Sequence, residues 1–179
     1  IRLIDEQGRE VPPGEAGEVV GRSAGMMSGY HGQPEKTREA EWYDASGTRF
    51  IRTGDIGRFD ADGFLILLDR RKDMIISGGF NVYPSEVEQV LWSHPAVQDC
   101  AVIGVPDAQW GEAVKAVVEL NAGQSVSAEE LIALCKEKLG SVKSPKTVDF
   151  IDTLPRSPVG KVLKKDLRQQ YWDNADRKI

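Results

Sequence analysis

The sequence is poor in the residues that most often announce a mechanism. Its 179 residues include two cysteines and two histidines. Cys100 and Cys135 each sit in an apolar pattern, with no Cys or His at metal-ligand spacing. Both are expected to be buried thiols in a reducing, cytoplasmic setting, and no metal site is expected. His31 and His94 leave a Ser-His-Asp or Cys-His mechanism few candidates, and Pro95 after His94 suits the end of a helix. Long apolar runs are also lacking, and none approaches the roughly 20 residues needed to span a bilayer. Lys and Arg number 23 against 28 Asp and Glu, for a net charge of −5. No basic cluster stands apart from acidic neighbours, which argues against a nucleic-acid partner. The chain opens on Ile1, without Met, a charged leader or a small-residue cleavage site, and is read as a piece of a longer protein.

With 40% hydrophobic residues, the chain can bury one domain, or a small domain plus part of another. Its first part reads as short strands: Arg2 to Asp5, Glu18 to Arg22, Phe50 to Thr53, Ile56 to Asp60 and Phe64 to Leu68. Asp60-Ala61-Asp62-Gly63 supplies a hairpin turn, and one helix starts near Pro34. These strands are too few to close a domain alone. After Arg70-Arg71-Lys72-Asp73 the rhythm changes to alternating strands and helices, so a boundary is expected near Lys72. A helix begins at Pro84-Ser85-Glu86 with Val87, Val90 and Leu91 at helical spacing. Cys100 to Val105, Val114 to Leu120 and Val148 to Ile151 are strand-like. Ser127 and Glu130 make a capping box ahead of the apolar stripe Leu131, Leu134, Cys135 and Leu139. A final helix is expected to carry Leu163, Leu167 and Tyr171 on one face. The fold class is therefore α+β, with a mainly β segment leading into a compact α+β unit.

Three segments carry chemistry. Phe50 to Asp55 runs a strand into Thr53-Gly54, which permits a tight turn, and delivers the Asp55 carboxylate there, where it can accept from a vicinal diol. Such a turn is just as serviceable structurally. Asp69 to Pro84 places charged residues beside the boundary, as suits a solvated hinge or a plain linker. The paired Gly78-Gly79 within it permits close backbone approach. Pro155 to Lys161 stiffens a loop with two prolines and frees the backbone at Gly160, so that Lys161 can hold a point charge against phosphate or carboxylate oxygens. An isolated exposed lysine is otherwise simply solvated.

Taken together in order, these segments resemble the adenylate-forming superfamily of acyl-CoA synthetases, nonribosomal peptide synthetase adenylation domains and luciferases. The tokens are Gly17-Glu18-Val19 with Gly29-Tyr30, then Arg52-Thr53-Gly54-Asp55, then Asp69-Arg70 through Glu88, then Gly104 to Asp107 with Trp110-Gly111-Glu112, and last Gly160-Lys161. The likeness covers essentially the whole chain. It implies that residues 1–71 are the C-terminal β-rich subdomain of a large adenylation domain, and 72–179 the mobile C-terminal domain with a three-stranded type of sheet. It also implies two steps: a carboxylate attacks the α-phosphate of ATP to give an acyl-adenylate, and a thiol then displaces AMP. Asp55 and Arg70 would hold the ribose, Lys161 would act in the first step, and Lys72 would be the hinge. Gly78, Gly79, Phe80, Trp110 and Lys143 would serve CoA, with Trp110 equally readable as a core residue. Relatives often place an aromatic and an Arg where Val142 and Ser144 stand, so the CoA nucleotide contacts depart from the pattern. The glycine segment resembles fatty- and aryl-CoA ligases rather than the Gly-x-Arg-Ile-Glu version of peptide synthetases. The family's phosphate loop, its magnesium-binding segment and its acyl pocket are not in this chain. Residues 1–179 alone are therefore expected to be inert, with Mg2+ held elsewhere. Rival readings are an adenylating enzyme with a carrier-protein or other non-CoA acceptor, and a non-catalytic binding module.

Overall fold

The computed structural model describes residues 1–172, which divide between Lys72 and Asp73 into two compact units. The first contains β1 (Arg2–Ile4), β2 (Gly17–Gly21), α1 (Pro34–Glu39), β3 (Glu41–Tyr43), β4 (Arg49–Phe59) and β5 (Leu65–Arg70). All its strand pairs are antiparallel, in the order β1-β2-β4-β3, with β5 also on β4. Ile4, Val20, Trp42 and Phe50 form its core, with the Trp42 and Phe50 rings edge to face at 5.3 Å. The expected hairpin turn is present: Asp60 Oδ1 accepts from the amides of Asp62 (3.0 Å) and Phe64 (2.8 Å).

The two strands expected at Phe50 to Thr53 and Ile56 to Asp60 are instead one strand, β4, and Thr53-Gly54-Asp55 is a bulge rather than a turn. On β2 a single residue separates Glu18 from Val20, whereas on β4 their partners Ile56 and Arg52 enclose three. Gly54, at φ 74°, supplies the left-handed backbone the bulge requires. Thr53 satisfies the displaced polar groups: its Oγ1 donates to Val19 O (2.9 Å) and accepts from Asp55 N (3.1 Å).

The second unit contains β6 (Ile75–Ser77), β7 (Phe80–Val82), α2 (Pro84–Trp92), β8 (Val97–Asp107), β9 (Gly111–Leu120), α3 (Ala128–Lys143), β10 (Thr147–Phe150) and α4 (Lys164–Trp172). It is an α+β unit. Strands β8, β9 and β10 form the centre of the sheet, and the short β6–β7 hairpin widens it to five strands. The β9–β10 pair is parallel, and α3 provides the crossover that such a pair needs. Side chains alternate along the central strands. Cys100 and Val102 of β8, with Val114, Ala116 and Val118 of β9, pack toward Val87 and Leu91 of α2 and Leu131 and Cys135 of α3. Ala101, Ile103 and Val117 pack in a second cluster with Leu154 and Leu167 of α4. Burial on both faces explains why Cys100 to Val105 of β8 reads as an unbroken apolar run.

On the α4 side, Lys115 of β9 is almost completely buried. Its ammonium lies 2.7 Å from Asp149 Oδ2 and 4.8 Å from the centre of the Tyr171 ring, while Tyr171 Oη donates to Asp149 at 2.6 Å. The last helix begins one residue later than expected. Leu163 precedes it and donates its amide to Pro155 O (2.8 Å). Of the capping box, the Ser127 half forms, with Oγ accepting from Glu130 N (3.1 Å). The Glu130 carboxylate turns instead toward His94 Nε2, 3.4 Å away. Both cysteines are buried free thiols. Burial raises the Cys100 pKa, helped by Glu88 and Asp99, and burial pushes Cys135 up to about 11. Among the described residues, no helix is long and apolar enough to cross a membrane.

Candidate functional site

In the first unit, the bulge aims Asp55 sideways from β4 and the register sets Arg70 of β5 directly opposite. Arg70 Nε lies 2.9 Å from Asp55 Oδ1, and both side chains remain partly exposed. A carboxylate and a guanidinium presented side by side offer acceptors and donors to the hydroxyls of one sugar. Glu18 of β2 holds this edge in place. Its carboxylate is 6% exposed, 2.7 Å from Arg52 Nη1 and 3.3 Å from Arg71 Nη1. Arg52 opens the bulge that carries Asp55, and Arg71 follows Arg70. One buried carboxylate thus fastens both backbone segments that deliver the exposed pair.

Lys72 lies in a 3-10 turn, Arg71–Asp73, and is exposed. Asp73, the first residue of the second unit, has its Oδ1 3.5 Å from Arg168 Nη2 of α4, a contact within that unit.

The Gly78-Gly79 turn joins β6 to β7 and is built by the residues of the Gly104–Glu112 token. Asp107 Oδ1 accepts from the amides of Gln109 (2.9 Å) and Trp110 (2.8 Å), shaping the β8–β9 connection. Trp110 O then accepts from Gly78 N (2.9 Å), and its indole covers Gly78 so closely that a Cβ there would sit 2.6 Å from Trp110 Cε3. Glu112 Oε2 accepts from Ile76 N at 3.0 Å, in space that a Cβ on Gly104 would occupy. Gly79, by contrast, faces open space, with nothing within 4 Å of a built Cβ. Beside it, a cavity of about 260 Å³ is lined by Ser77, Phe80, Trp110, Ser141, Val142 and Lys146. Phe80 and Trp110 are 62% and 45% exposed, a large apolar area for a surface turn. Lys143 does not line this cavity; its ammonium is paired with Glu86 at 2.7 Å. Lys146 stands there instead, donating to Ser141 O at 2.7 Å.

Lys161 ends a tight loop. Arg156 and Val162 form an isolated bridge, Ser157 N donates to Lys161 O (2.8 Å), and Lys161 N donates to Ser157 Oγ (3.1 Å). Gly160 closes the turn at φ 81°. The Lys161 side chain is exposed. The loop docks on the Asp99 and Glu119 end of the β8–β9 ribbon through Arg156. The glycine turn docks at the other end, where Ser77 pairs with Gly111. Asp99 and Asp107 lie eight positions apart along β8, so at about 3.3 Å per residue roughly 25 Å separates the two ends.

Sequence patterns named Asp55, Arg70, Gly78, Gly79, Phe80, Trp110 and Lys161, and the structure brings them together in three places: an exposed ion pair, a glycine turn beside an aromatic cavity, and a clamped lysine loop. The residues that hold these places, namely Glu18, Asp99, Glu112, Glu119 and Arg156, were not singled out. Glu112 and Glu18 lay inside recognisable tokens. Asp99 and Glu119 carried no local signal.

Residues 86–161 match the AMP-binding enzyme C-terminal domain. The chain is 44% identical over 96% of its length to a feruloyl-CoA synthase of an Amycolatopsis species, of which it covers 34%. It is 43% identical over 99% of its length to the fatty acid–[acyl-carrier-protein] ligase ScoC of Streptomyces coeruleorubidus, of which it covers 33%. In structure it is similar to ATP-bound MatB from Rhodopseudomonas palustris, with a TM-score of 0.87 and 40% identity over 96% of this chain and 34% of that one. The chain therefore spans about a third of the length of the curated relatives it matches. With the fold, the order of its motifs and these likenesses in agreement, residues 86–161 are an AMP-binding enzyme C-terminal domain, and the chain as a whole is similar to adenylate-forming enzymes.

Proposed function

We propose that the chain is the C-terminal part of an ATP-dependent acyl-CoA ligase, which converts a carboxylic acid, ATP and CoA into acyl-CoA, AMP and pyrophosphate through an acyl-adenylate. Residues 1–71 complete the adenylation domain and 72–179 form the mobile C-terminal domain, turning at Lys72. Asp55 accepts hydrogen bonds from the ribose hydroxyls and Arg70 donates to the same sugar. Lys161 places its ammonium between the attacking carboxylate and the α-phosphate. There it offsets repulsion between two anions and stabilises the charge that develops in transfer. Gly79 leaves the thiol's path open, flanked by Gly78 and Phe80, and Trp110 and Lys143 serve the CoA nucleotide. Fatty and aromatic acids are the favoured substrate classes. By the family's pattern, magnesium would be held by a segment of the larger domain that is not among these residues. The unpaired buried thiols suit a cytoplasmic enzyme.

The observation that supports this reading most is the placement of a lysine loop and a glycine turn at opposite ends of one β-ribbon. Two steps with different chemistry require two such ends, whereas a binding module needs only one. The acceptor is tested by supplying the full-length enzyme with acid and ATP, with and without CoA. Formation of acyl-CoA and AMP only when CoA is present supports the proposal. A second reading, a carrier-protein acceptor, is favoured by the 43% identity to a carrier-protein ligase. Loading of a phosphopantetheinyl carrier protein, with free CoA ignored, would establish that one instead.

A further inference from the structure

The geometry points to Arg156 as the positioning residue of Lys161, a clamp that sets the loop before any substrate binds. Arg156 stands five residues before Lys161, at the base of the same loop. Its Nη2 is ion-paired with Asp99 Oδ2 of β8 and lies 3.6 Å from Glu119 Oε2 of β9, and its Nη1 donates to Gly160 O at 3.3 Å. One planar side chain therefore joins two adjacent strands to the carbonyl immediately before the lysine. A guanidinium makes such a fork and an ammonium does not.

Both carboxylates are themselves held. Asp99 Oδ1 accepts from Trp92 Nε1 (3.0 Å) and from its neighbour Cys100 N (2.8 Å), which leaves Oδ2 for Arg156. Glu119 is 7% exposed, and its Oε2 accepts from Leu154 N (3.0 Å), an amide next to the loop in sequence. The acceptors are thus fixed by the sheet and by α2, and the loop is fixed by its own arginine. Without Arg156 the stretch Ser157 to Lys161 keeps its internal turn but loses its ion pairs to the strands, and stays held through its base, where Leu154 and Val162 pack. The turn then swings as a body, and the Lys161 ammonium with it.

This rests on the proposed role of Lys161 in adenylate formation, and the test separates the two. In the full-length enzyme, Lys161→Ala, Arg156→Ala, Arg156→Lys and Asp99→Asn are each assayed for adenylate formation and, separately, for thioester formation from supplied acyl-adenylate. Asp99→Asn keeps an acceptor oxygen for Trp92 and Cys100 while removing the charge that Arg156 meets, so it releases the clamp without emptying the site.

Arg156→Ala and Asp99→Asn are expected to slow adenylate formation by about 10- to 100-fold, the scale of a positioning error near 1 Å. Thioester formation should be left unchanged, and Arg156→Lys should recover part of the loss. Amide hydrogen exchange over Ser157 to Lys161 should rise in the two releasing variants. Equal loss of both half-reactions, or full activity in both releasing variants while Lys161→Ala abolishes adenylation, would overturn the clamp and leave the role of Lys161 intact. Normal adenylation by Lys161→Ala would overturn both.

Discussion

Gly79 and Lys161 differ in what a substitution would change, one by adding bulk and the other by removing charge. Lys161→Ala is expected to lower adenylate formation by about 100- to 1,000-fold, the usual cost of one electrostatic group at developing charge, and to leave thioester formation nearly untouched. Half-reaction assays on the full-length enzyme measure the contrast. Gly79→Leu should do the reverse, sparing adenylation and blocking transfer to CoA, because its side chain would enter the open space beside Phe80. The left-handed backbone there adds a stability loss of about 1–2 kcal/mol, readable in the melting temperature. Impairment of adenylation alone would make Gly79 a structural turn. Both residues were legible in the sequence, although by the company they keep rather than by their own chemistry. Arg156 was not, since its value lies in Asp99 and Glu119, which reach it from strands far back in the chain.

At the scale of elements, α4 carries the chain away from the lysine loop and is anchored by Leu167 and by the Lys115–Asp149–Tyr171 cluster. Burial pushes the Asp149 pKa up, but hydrogen bonds from Lys115 and Tyr171 outweigh it and hold the carboxyl below its ordinary value. A carboxyl depressed in the folded state contributes stability above its unfolded pKa of about 3.9 and loses it as pH falls through the folded value. Stability should therefore decline below about pH 4 more steeply in the native protein than in Asp149→Ala. That variant should already be weaker near neutrality by about 1–3 kcal/mol, because it deprives the buried Lys115 ammonium of its carboxylate. Denaturant titrations across the acid range check both outcomes. Parallel curves for the two proteins would show that the cluster does not hold the helix. Periodicity revealed α4 and its buried Leu167, but it could not reveal that a charged residue of β9 lies beneath Tyr171.

For the whole molecule, the two units differ in how much core they own. Asp73–Ile179 covers both faces of its sheet with helices, whereas the buried apolar cluster in Ile1–Lys72 is Ile4, Val20, Trp42 and Phe50. A segment of residues 73–179 should unfold cooperatively by itself, and one of residues 1–72 should not, as circular dichroism on the separate pieces would reveal. Cooperative folding of 1–72 alone would refute its assignment as part of a larger domain. The intact chain should likewise give no ATP–pyrophosphate exchange, because the phosphate grip assigned to the family is not among its residues.

What the sequence determined by itself was local or patterned: the α+β class, the change of rhythm near Lys72, the helices at Pro84 and Ser127, the Asp60–Gly63 hairpin, and the ordered tokens that led to Asp55, Arg70, Gly79 and Lys161. Each depends on neighbours within a few residues or on a repeat of two or 3.6, and such signals survive in one dimension. Tertiary structure decided the rest. Thr53-Gly54-Asp55 looked like a turn because Thr and Gly suit one, yet pairing with both β2 and β5 keeps β4 continuous and makes the same residues a bulge. Pairing registers set Arg70 opposite Asp55, and side-chain hydrogen bonds brought Glu112 to Ile76 and Arg156 to Asp99. Contacts of that kind arise only when strands distant in sequence are laid side by side, where direction and register, rather than composition, choose the partner.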